Sequence, residues 1–395
     1  MTGTSDNAVV FEAPHQKRSL GRSIRGDKGI WIIILLLSLI SLAAVYSSTS
    51  SLAFHQGRSA FFFLTKQLAF VTLGLGTLYV CHLVPLGWYR RLAFLGMIIA
   101  VALLVITIFF GITQNEATRS VIIFGVSIQP SEVVKVAMVL YMAKVIEDRE
   151  FKTFKEFTIF LMIPIAILCL LMLWGSVSAG LILGGTAFLI LIIAGISFTH
   201  ILKMTGIFFV GFALVIALAF STPLFPRIET AFKRLITFVD DEKGDTFQAD
   251  HAKIAIASAD LFGKGPGNST QRYILPKPYH DFIYAIIIEE YGLLGGSAVL
   301  MLFLWFFFRT YLIARRCTRN FSSLLAIGLG LLIVLQAMLH MGVNVGLLPV
   351  TGQTLPLVSL GGTSFIAVSA AFGIILSVSR TIEKTQVNEN MEATS

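Results

Sequence analysis

Few residues in this chain could do chemistry, and Asp281 comes first among them. It follows GKGPGNSTQRYILPKPYH and precedes the apolar stretch FIYAIII. A carboxylate at that junction would stand where water meets lipid. There it can take a proton from a hydroxyl on a lipid-borne substrate. The alternative is a first-turn carboxylate that caps the helix behind it. Glu289 and Glu290 follow in the same stretch, roughly 12–14 Å deeper along a straight helix. Carboxylates at such depth are costly, so structural pairing is the expectation for these two.

A second candidate lies in SIQPSEVVKVA, where Pro130 suits a first helical position and Glu132 complements the positive helix end. Glu132 and Lys135 share a helix face and can pair. They form either a structural ion pair or the lining of a polar cavity, with Lys135 available to a pyrophosphate. Arg119, just upstream, is another anion ligand candidate. Gly263, Gly265 and Gly267 with Pro266 demand a tight backbone path. That path is either a bare turn or a backbone cradle for phosphate. The spacing is not that of a dinucleotide fingerprint. In GVNVGLLPVTGQTLPLVSLGGTS, prolines and glycines interrupt an apolar run. Irregular backbone at membrane depth must be covered by protein or line a cavity. Asn344, Thr351, Gln353, Thr354, Ser359, Thr363 and Ser364 supply hydrogen-bonding groups there. His340 reads as a satisfied bundle residue.

The elements that hold these residues follow from composition. Of 395 residues, 56% are hydrophobic and 13% charged, with a mean hydropathy of +0.83. A soluble domain carries roughly a quarter charged residues. Apolar runs recur at about 30–47, 61–83, 92–112, 130–146, 157–173, 179–196, 204–220, 282–308, 324–345 and 361–378. Each approaches the roughly 20 residues of a helical crossing. The expected fold is therefore an all-α integral membrane bundle of about ten transmembrane helices. One long polar loop, 222–280, separates the seventh from the eighth. The stretches FKRLITFV and AKIAIASADLF within it could form amphipathic helices. The net charge of +8 would suggest nucleic acid in a soluble protein. Here it reads as the basic excess of cytoplasmic loops. Residues 1–29 form a basic tail, 30–380 the membrane domain and 381–395 a polar tail. Basic residues before the first run place both termini in the cytoplasm and the 222–280 loop outside. No cleavable signal peptide is evident. Cys81, Cys169 and Cys317 suggest neither a disulfide framework nor a zinc site. No internal repeat points to a transporter built from inverted halves.

Four segments in order resemble the SEDS family (shape, elongation, division and sporulation), whose members include FtsW and RodA. They are Gln129-Pro130-Ser131-Glu132 with Lys135, the run from Gly263 to Gln271, His280-Asp281-Phe282 through Glu289-Glu290-Tyr291-Gly292, and Pro349 to Ser364. The likeness covers nearly the whole chain. The opening GDKGIWIIILLLSLISLAAVYSS and the run LLPVTGQTLPLVSLGGTS look most like division-type members from Bacteroidetes-type bacteria. The resemblance implies a ten-span peptidoglycan glycosyltransferase of the inner membrane, acting at the division septum on lipid II. Asp281 would be catalytic. Arg119, Glu132, Lys135, Gly265, Gly267, Asn268, Ser269, Gln271, Ser359, Gly361 and Gly362 would contact substrate. A class B penicillin-binding protein and other division membrane proteins would be partners, and Mg or Mn a possible cofactor. The chain departs from the family pattern at Ser120, at Trp174–Ser178, at Ala259-Asp260 and at Lys277. These changes bear on substrate contacts rather than on Asp281. The alternatives are a RodA-like elongation polymerase, a flippase or transporter of lipid-linked precursor, and a non-catalytic scaffold.

Overall fold

The computed structural model describes residues 25–50, 52, 57, 59–114, 117–123, 126–221, 226–240 and 246–393. Among these, eight helices are long and apolar enough to cross a membrane. They are α1 (Lys28–Ser48), α2 (Ala60–Leu83), α3 (Leu86–Phe110), α5 (Phe154–Gly175), α7 (Phe198–Ser221), α10 (Ile283–Arg315), α11 (Asn320–Asn344) and α12 (Thr363–Ala393). Two more pack among them. α4 (Pro130–Asp148) is interrupted by charge, and α6 (Val177–Ile193) is apolar but shorter. The chain is a multi-pass membrane protein.

α11 is the hub. Its most apolar window is 83% buried, against 11% for α7. It packs on α4, α6, α10 and α12. Exposed Phe61, Phe109 and Phe209 on α2, α3 and α7 give those helices apolar outer faces, as contact with lipid requires. One end of the bundle is tied at α1 and α10. The Asp27 side chain caps α1 by accepting from the Ile30 amide at 3.0 Å and also accepts from Arg309 Nε at 3.0 Å, near the end of α10. Pro164 in α5 has no N–H for the Phe160 carbonyl one turn earlier. A π-helical turn, Thr158–Met162, absorbs the misfit, and Tyr141 Oη donates to that carbonyl at 2.7 Å.

Several boundaries differ from the expected ones. α3 begins at Leu86, so Arg90 and Arg91 lie on its first turns rather than in a loop. α12 runs on to Ala393 through the stretch read as a polar tail. The polar stretch after α3 forms a small antiparallel sheet, β1 (Ile112–Gln114), β2 (Ala117–Ile123) and β3 (Val126–Ile128), in the order β1-β2-β3. Of the two amphipathic stretches of the long loop, FKRLITFV is helical in α8 (Pro226–Val239), and AKIAIASADLF is helical only as far as Ala257, in α9 (Phe247–Ala257).

α10 is the largest departure, because it is not one straight helix. Gly292 has φ 71° and ψ −173°, a conformation essentially restricted to glycine. A Cβ there would lie 2.2 Å from the Leu261 carbonyl oxygen, and one on Gly263 would lie 2.4 Å from that of Glu290. The two backbones therefore touch. Lys264 and Gly265 amides donate to the Glu289 and Glu290 carbonyls at 2.9 Å each. The Gly-rich run is thereby locked to the break in α10.

Candidate active site

Asp281 is not a helix cap. α10 begins two residues later, and Phe282 at its N-cap makes no side-chain cap bond. The 277–281 turn instead bends back on itself, with Lys277 at φ 58° and the His280 amide donating to the Lys277 carbonyl at 3.0 Å. Its backbone is held from outside. Asn344 Nδ2 donates to the Asp281 carbonyl at 3.1 Å, Ser359 Oγ to the His280 carbonyl at 2.9 Å, and the Leu360 amide to the Tyr279 carbonyl at 3.0 Å. Asn344 Oδ1 also accepts from the Ala285 amide at 3.0 Å, fixing the start of α10 to the end of α11. The carboxylate remains 23% exposed, with Oδ1 2.6 Å from His280 Nδ1. Burial, with the Asp281 carboxylate nearby, pushes the Tyr279 phenol above its ordinary range, so it stays protonated.

The Glu132–Lys135 pair is buried, with side chains 4% and 1% exposed. Lys135 Nζ donates to Glu132 Oε1 at 2.8 Å and to Gln336 Oε1 on α11. Gln336 Nε2 donates on to the Thr354 carbonyl at 3.2 Å, and Thr354 Oγ1 lies 3.3 Å from Ser364 Oγ. His340 Nδ1 lies 2.7 Å from the Gln353 carbonyl oxygen, as a bracing histidine would. The broken 349–364 segment is thus the common support. One side of it holds the Asp281 turn and the other receives the Lys135 network. Near the start of α4, Gln129 and Ser131 line a small cavity with Thr107, Trp174, Ser176 and Gln353. A second, apolar cavity of about 330 Å³ lies between α6, α7, α8 and residues 349–351. Leu181, Phe212, Ile216 and Leu235 line it, and Arg234 at its edge donates to the Val350 carbonyl at 3.1 Å.

Of its two readings, turn or phosphate cradle, the Gly-rich run fits the turn, bonded to the chain itself. Amides of Thr270 and Gln271 donate to Glu289 at 3.0 and 3.3 Å, and the Ser269 amide donates to Glu290 at 3.3 Å. Lys264 Nζ reaches Glu289 Oε1 at 2.6 Å, and Ser269 Oγ donates to Glu289 Oε2. The amides that would meet a phosphate already hold the chain's own carboxylates. The Asn268 side chain donates to the Lys264 carbonyl at 2.9 Å, and Gln271 Oε1 lies 2.8 Å from His251 Nδ1. Gly265 and Gly267 take positive φ in the same turn. Gly361 and Gly362 open α12, where Thr363 Oγ1 accepts from the Gln129 amide at 3.2 Å. Arg119 falls in β2, and its side chain lies outside the described residues. Among the described residues no group of three or more His, Cys, Asp or Glu side chains could hold a metal ion.

Sequence reasoning missed Gln336 as a member of the site, and it quoted His280 in the His280-Asp281-Phe282 motif without giving it a role. Gln336 was visible as a lone amide inside LLIVLQAMLH. Asn344 was noted as polar, but not as the clamp on Asp281.

Fold and site together define a polytopic helical membrane protein whose partly exposed carboxylate is held on an interrupted helix pair. The family model described as cell cycle protein, named for FtsW, RodA and SpoVE, matches residues 27–384. The chain belongs to this family. It is 33% identical over 358 residues to stage V sporulation protein E of Bacillus subtilis (strain 168), covering 88% of this chain and 95% of that one. It is 32% identical over 369 residues to a probable peptidoglycan glycosyltransferase FtsW of Thioalkalivibrio sulfidiphilus, covering 90% of each. Among solved structures, a chain of a peptidoglycan synthase complex that coordinates polymerization and crosslinking matches with TM-score 0.72 at 22% identity, over 90% of this chain and 98% of that one. Rod shape determining protein RodA of Thermus thermophilus matches with TM-score 0.65 at 23% identity, over 90% and 97%. At such identities the two structures establish the shared fold.

Proposed function

We propose that this protein polymerises peptidoglycan glycan strands from lipid II, with Asp281 as general base. The acceptor sugar hydroxyl attacks the anomeric carbon of the donor sugar. The bond to the lipid pyrophosphate breaks, and Asp281 takes the hydroxyl proton. A neutral hydroxyl is a weak nucleophile, so a positioned base contributes roughly 10²–10⁴ in rate. The observation that carries this reading is the fixed backbone of the 279–281 turn. Asn344, Ser359 and Leu360 hold it while the carboxylate itself keeps access to solvent. The His280 contact orients that carboxylate.

The leaving pyrophosphate needs positive charge or dipoles. Lys135 and Arg119 are our candidates, with Gln129, Ser131, Ser359, Gly361 and Gly362 near the sugar or phosphate. The lipid tail would lie in the apolar cavity beside Arg234. Asp281 and His280 could give a divalent cation at most two ligands, so Mg or Mn here would be held mainly by the substrate's phosphates. The chain would cross the inner membrane ten times with both termini inside. It would act at the septum with a class B penicillin-binding protein and other division proteins. The relatives named FtsW support the septal role.

Asp281→Asn keeps the shape and loses the base. Purified with its transpeptidase and given lipid II, the variant should polymerise about 10²-fold slower or worse. Its unfolding temperature and lipid II binding should match the parent. Normal glycan synthesis by a well-folded Asp281→Asn protein would refute the assignment.

A further inference from the structure

Asp281 stands at the C-terminal end of α11. The other end of α11, roughly 36 Å away, opens on a cavity of about 550 Å³. The starts of α3 and α11, the end of α4, the 316–319 loop and the 378–385 stretch of α12 enclose it. Five cations line it: Arg90, Arg316, Arg319, Arg380 and Lys384. One carboxylate, Glu147, lines it too. Glu147 is ion-paired, although its Oε2 makes no hydrogen bond. Its Oε2 lies 3.1 Å from Arg90 Nε, and its Oε1 accepts from the Phe321 amide at 3.2 Å. Asp148 takes the rest of Arg90. Glu383, one turn along α12 from Arg380, accepts from the Gly26 amide at 2.9 Å.

That leaves Arg316, Arg319 and Lys384 without a carboxylate in ion-pair reach among the described residues. Arg380 donates to the Leu83 carbonyl at 2.8 Å, but its Nε is buried with no hydrogen-bond partner. The starts of α3 and α11 both border the cavity; α3 has no side-chain cap, while at the start of α11 the Phe321 amide is taken by Glu147. The first amides of α3 and the dipoles of both helices add positive potential. A basic excess on the cytoplasmic side sets topology and accounts for the number of these cations. It does not account for their convergence, with the uncapped start of α3, on one concave site.

We propose that this cavity binds the phosphodiester headgroup of an anionic phospholipid from the leaflet on that face. Charge complementarity calls for an anion, and the setting favours a lipid over a soluble phosphate ester. Leu86, Val378 and Ile382 give the cavity an apolar wall. Trp88, 55% exposed, stands beside it as an interfacial aromatic does. Exposed Leu92 and Leu95 continue down α3 for acyl chains to lie against.

The test uses the delipidated full-length protein in a neutral detergent. Phosphatidylglycerol, phosphatidylcholine, inorganic phosphate and glycerol phosphate are each titrated, with bound molecules counted by native mass spectrometry and unfolding followed thermally. Phosphatidylglycerol should be retained and should raise the unfolding temperature, and the other three should not. Arg316→Gln with Arg319→Gln should weaken phosphatidylglycerol binding by about tenfold or more. Lys384→Gln, on an exposed side chain that packing does not need, should weaken it by about threefold even if the double variant fails to fold. Equal retention of phosphatidylcholine, or parent-like affinity in Lys384→Gln, would overturn the site. Equal stabilisation by either soluble phosphate would overturn the lipid assignment in favour of a soluble ester.

Discussion

Lys135 has a long, flexible, charged side chain, and its burial here leaves it 1% exposed. Such a group is tolerated only with partners, and it has two, Glu132 and Gln336. Removing the ammonium strands the Glu132 carboxylate among apolar neighbours and breaks the link through Gln336 to Thr354. Lys135→Ala should therefore cost about 3–5 kcal/mol and lower polymerisation too, because Thr354 belongs to the segment that supports the Asp281 turn. Thermal unfolding in detergent and a glycan synthesis assay check both. A variant that melts and polymerises like the parent would place the pair outside the working site. The i,i+3 spacing made the pair legible in the sequence, and the breakers around 349–362 marked the segment. Gln336 was less visible, because a single amide in an apolar helix does not show which neighbour it will face. Glu289 and Glu290 were expected to pair, and they do. Their partners were not foreseeable, because a loop twenty residues upstream supplies backbone amides that carry no sequence signal.

At the scale of elements, the break in α10 decides the geometry. A straight helix from residue 282 would carry Glu289 and Glu290 deep into the bundle with nothing to meet. Gly292 instead turns the chain, and the 260–265 backbone passes close enough to bond it. Gly292→Ala forces a Cβ to within 2.2 Å of the Leu261 carbonyl oxygen and 2.5 Å of the Gly263 amide nitrogen. Backbone cannot yield as a flexible side chain can. The conformation alone costs about 1–3 kcal/mol for a residue with a Cβ. A lower unfolding temperature and weaker protection of the 260–271 amides in hydrogen exchange are expected. Gly76→Ala is the contrasting case. Gly76 lies inside α2, and a Cβ there meets nothing within 4 Å. That change should be neutral or stabilise by up to about 1 kcal/mol. Parent-like behaviour of Gly292→Ala would mean that α10 is straight. The sequence showed the helices well because long apolar runs have few other structures to adopt. It concealed the kink because glycine within a span is ordinary in membrane helices. It also left the β1–β3 hairpins unassigned, since that stretch alternates weakly.

For the whole molecule, the open quantity is the number of crossings. Eight helices qualify by length and composition among the described residues. α4 and α6 decide whether the total is ten. α4 has 19 residues and α6 has 17, so at 1.5 Å per residue they span roughly 25–29 Å, close to a hydrocarbon core of about 30 Å. Of the five charges in α4, Glu132 and Lys135 are paired inside the bundle and Glu147 and Asp148 lie at its end with Arg90, so its polarity does not argue against crossing. α6 is apolar and merely short. Cysteine labelling can count these directly. Ser269 would be a poor probe, since it is 2% exposed and bonded to Glu289. Phe262, 75% exposed in the long loop, and Lys152, 82% exposed between α4 and α5, are better. Three candidate crossings, α5, α6 and α7, lie between them, so with α5 and α7 crossing the two positions lie on opposite faces only if α6 crosses too. In a background free of native cysteines, Phe262→Cys should react with a membrane-impermeant maleimide in intact spheroplasts. Lys152→Cys should react only after the membrane is opened. Labelling of both from the same side would mean that α6 does not cross. Labelling with the two sides exchanged would invert the molecule and put Asp281 on the cytoplasmic face. A lipid-linked donor would then have to be used inside the cell, and a polymerase of exported precursor would be excluded.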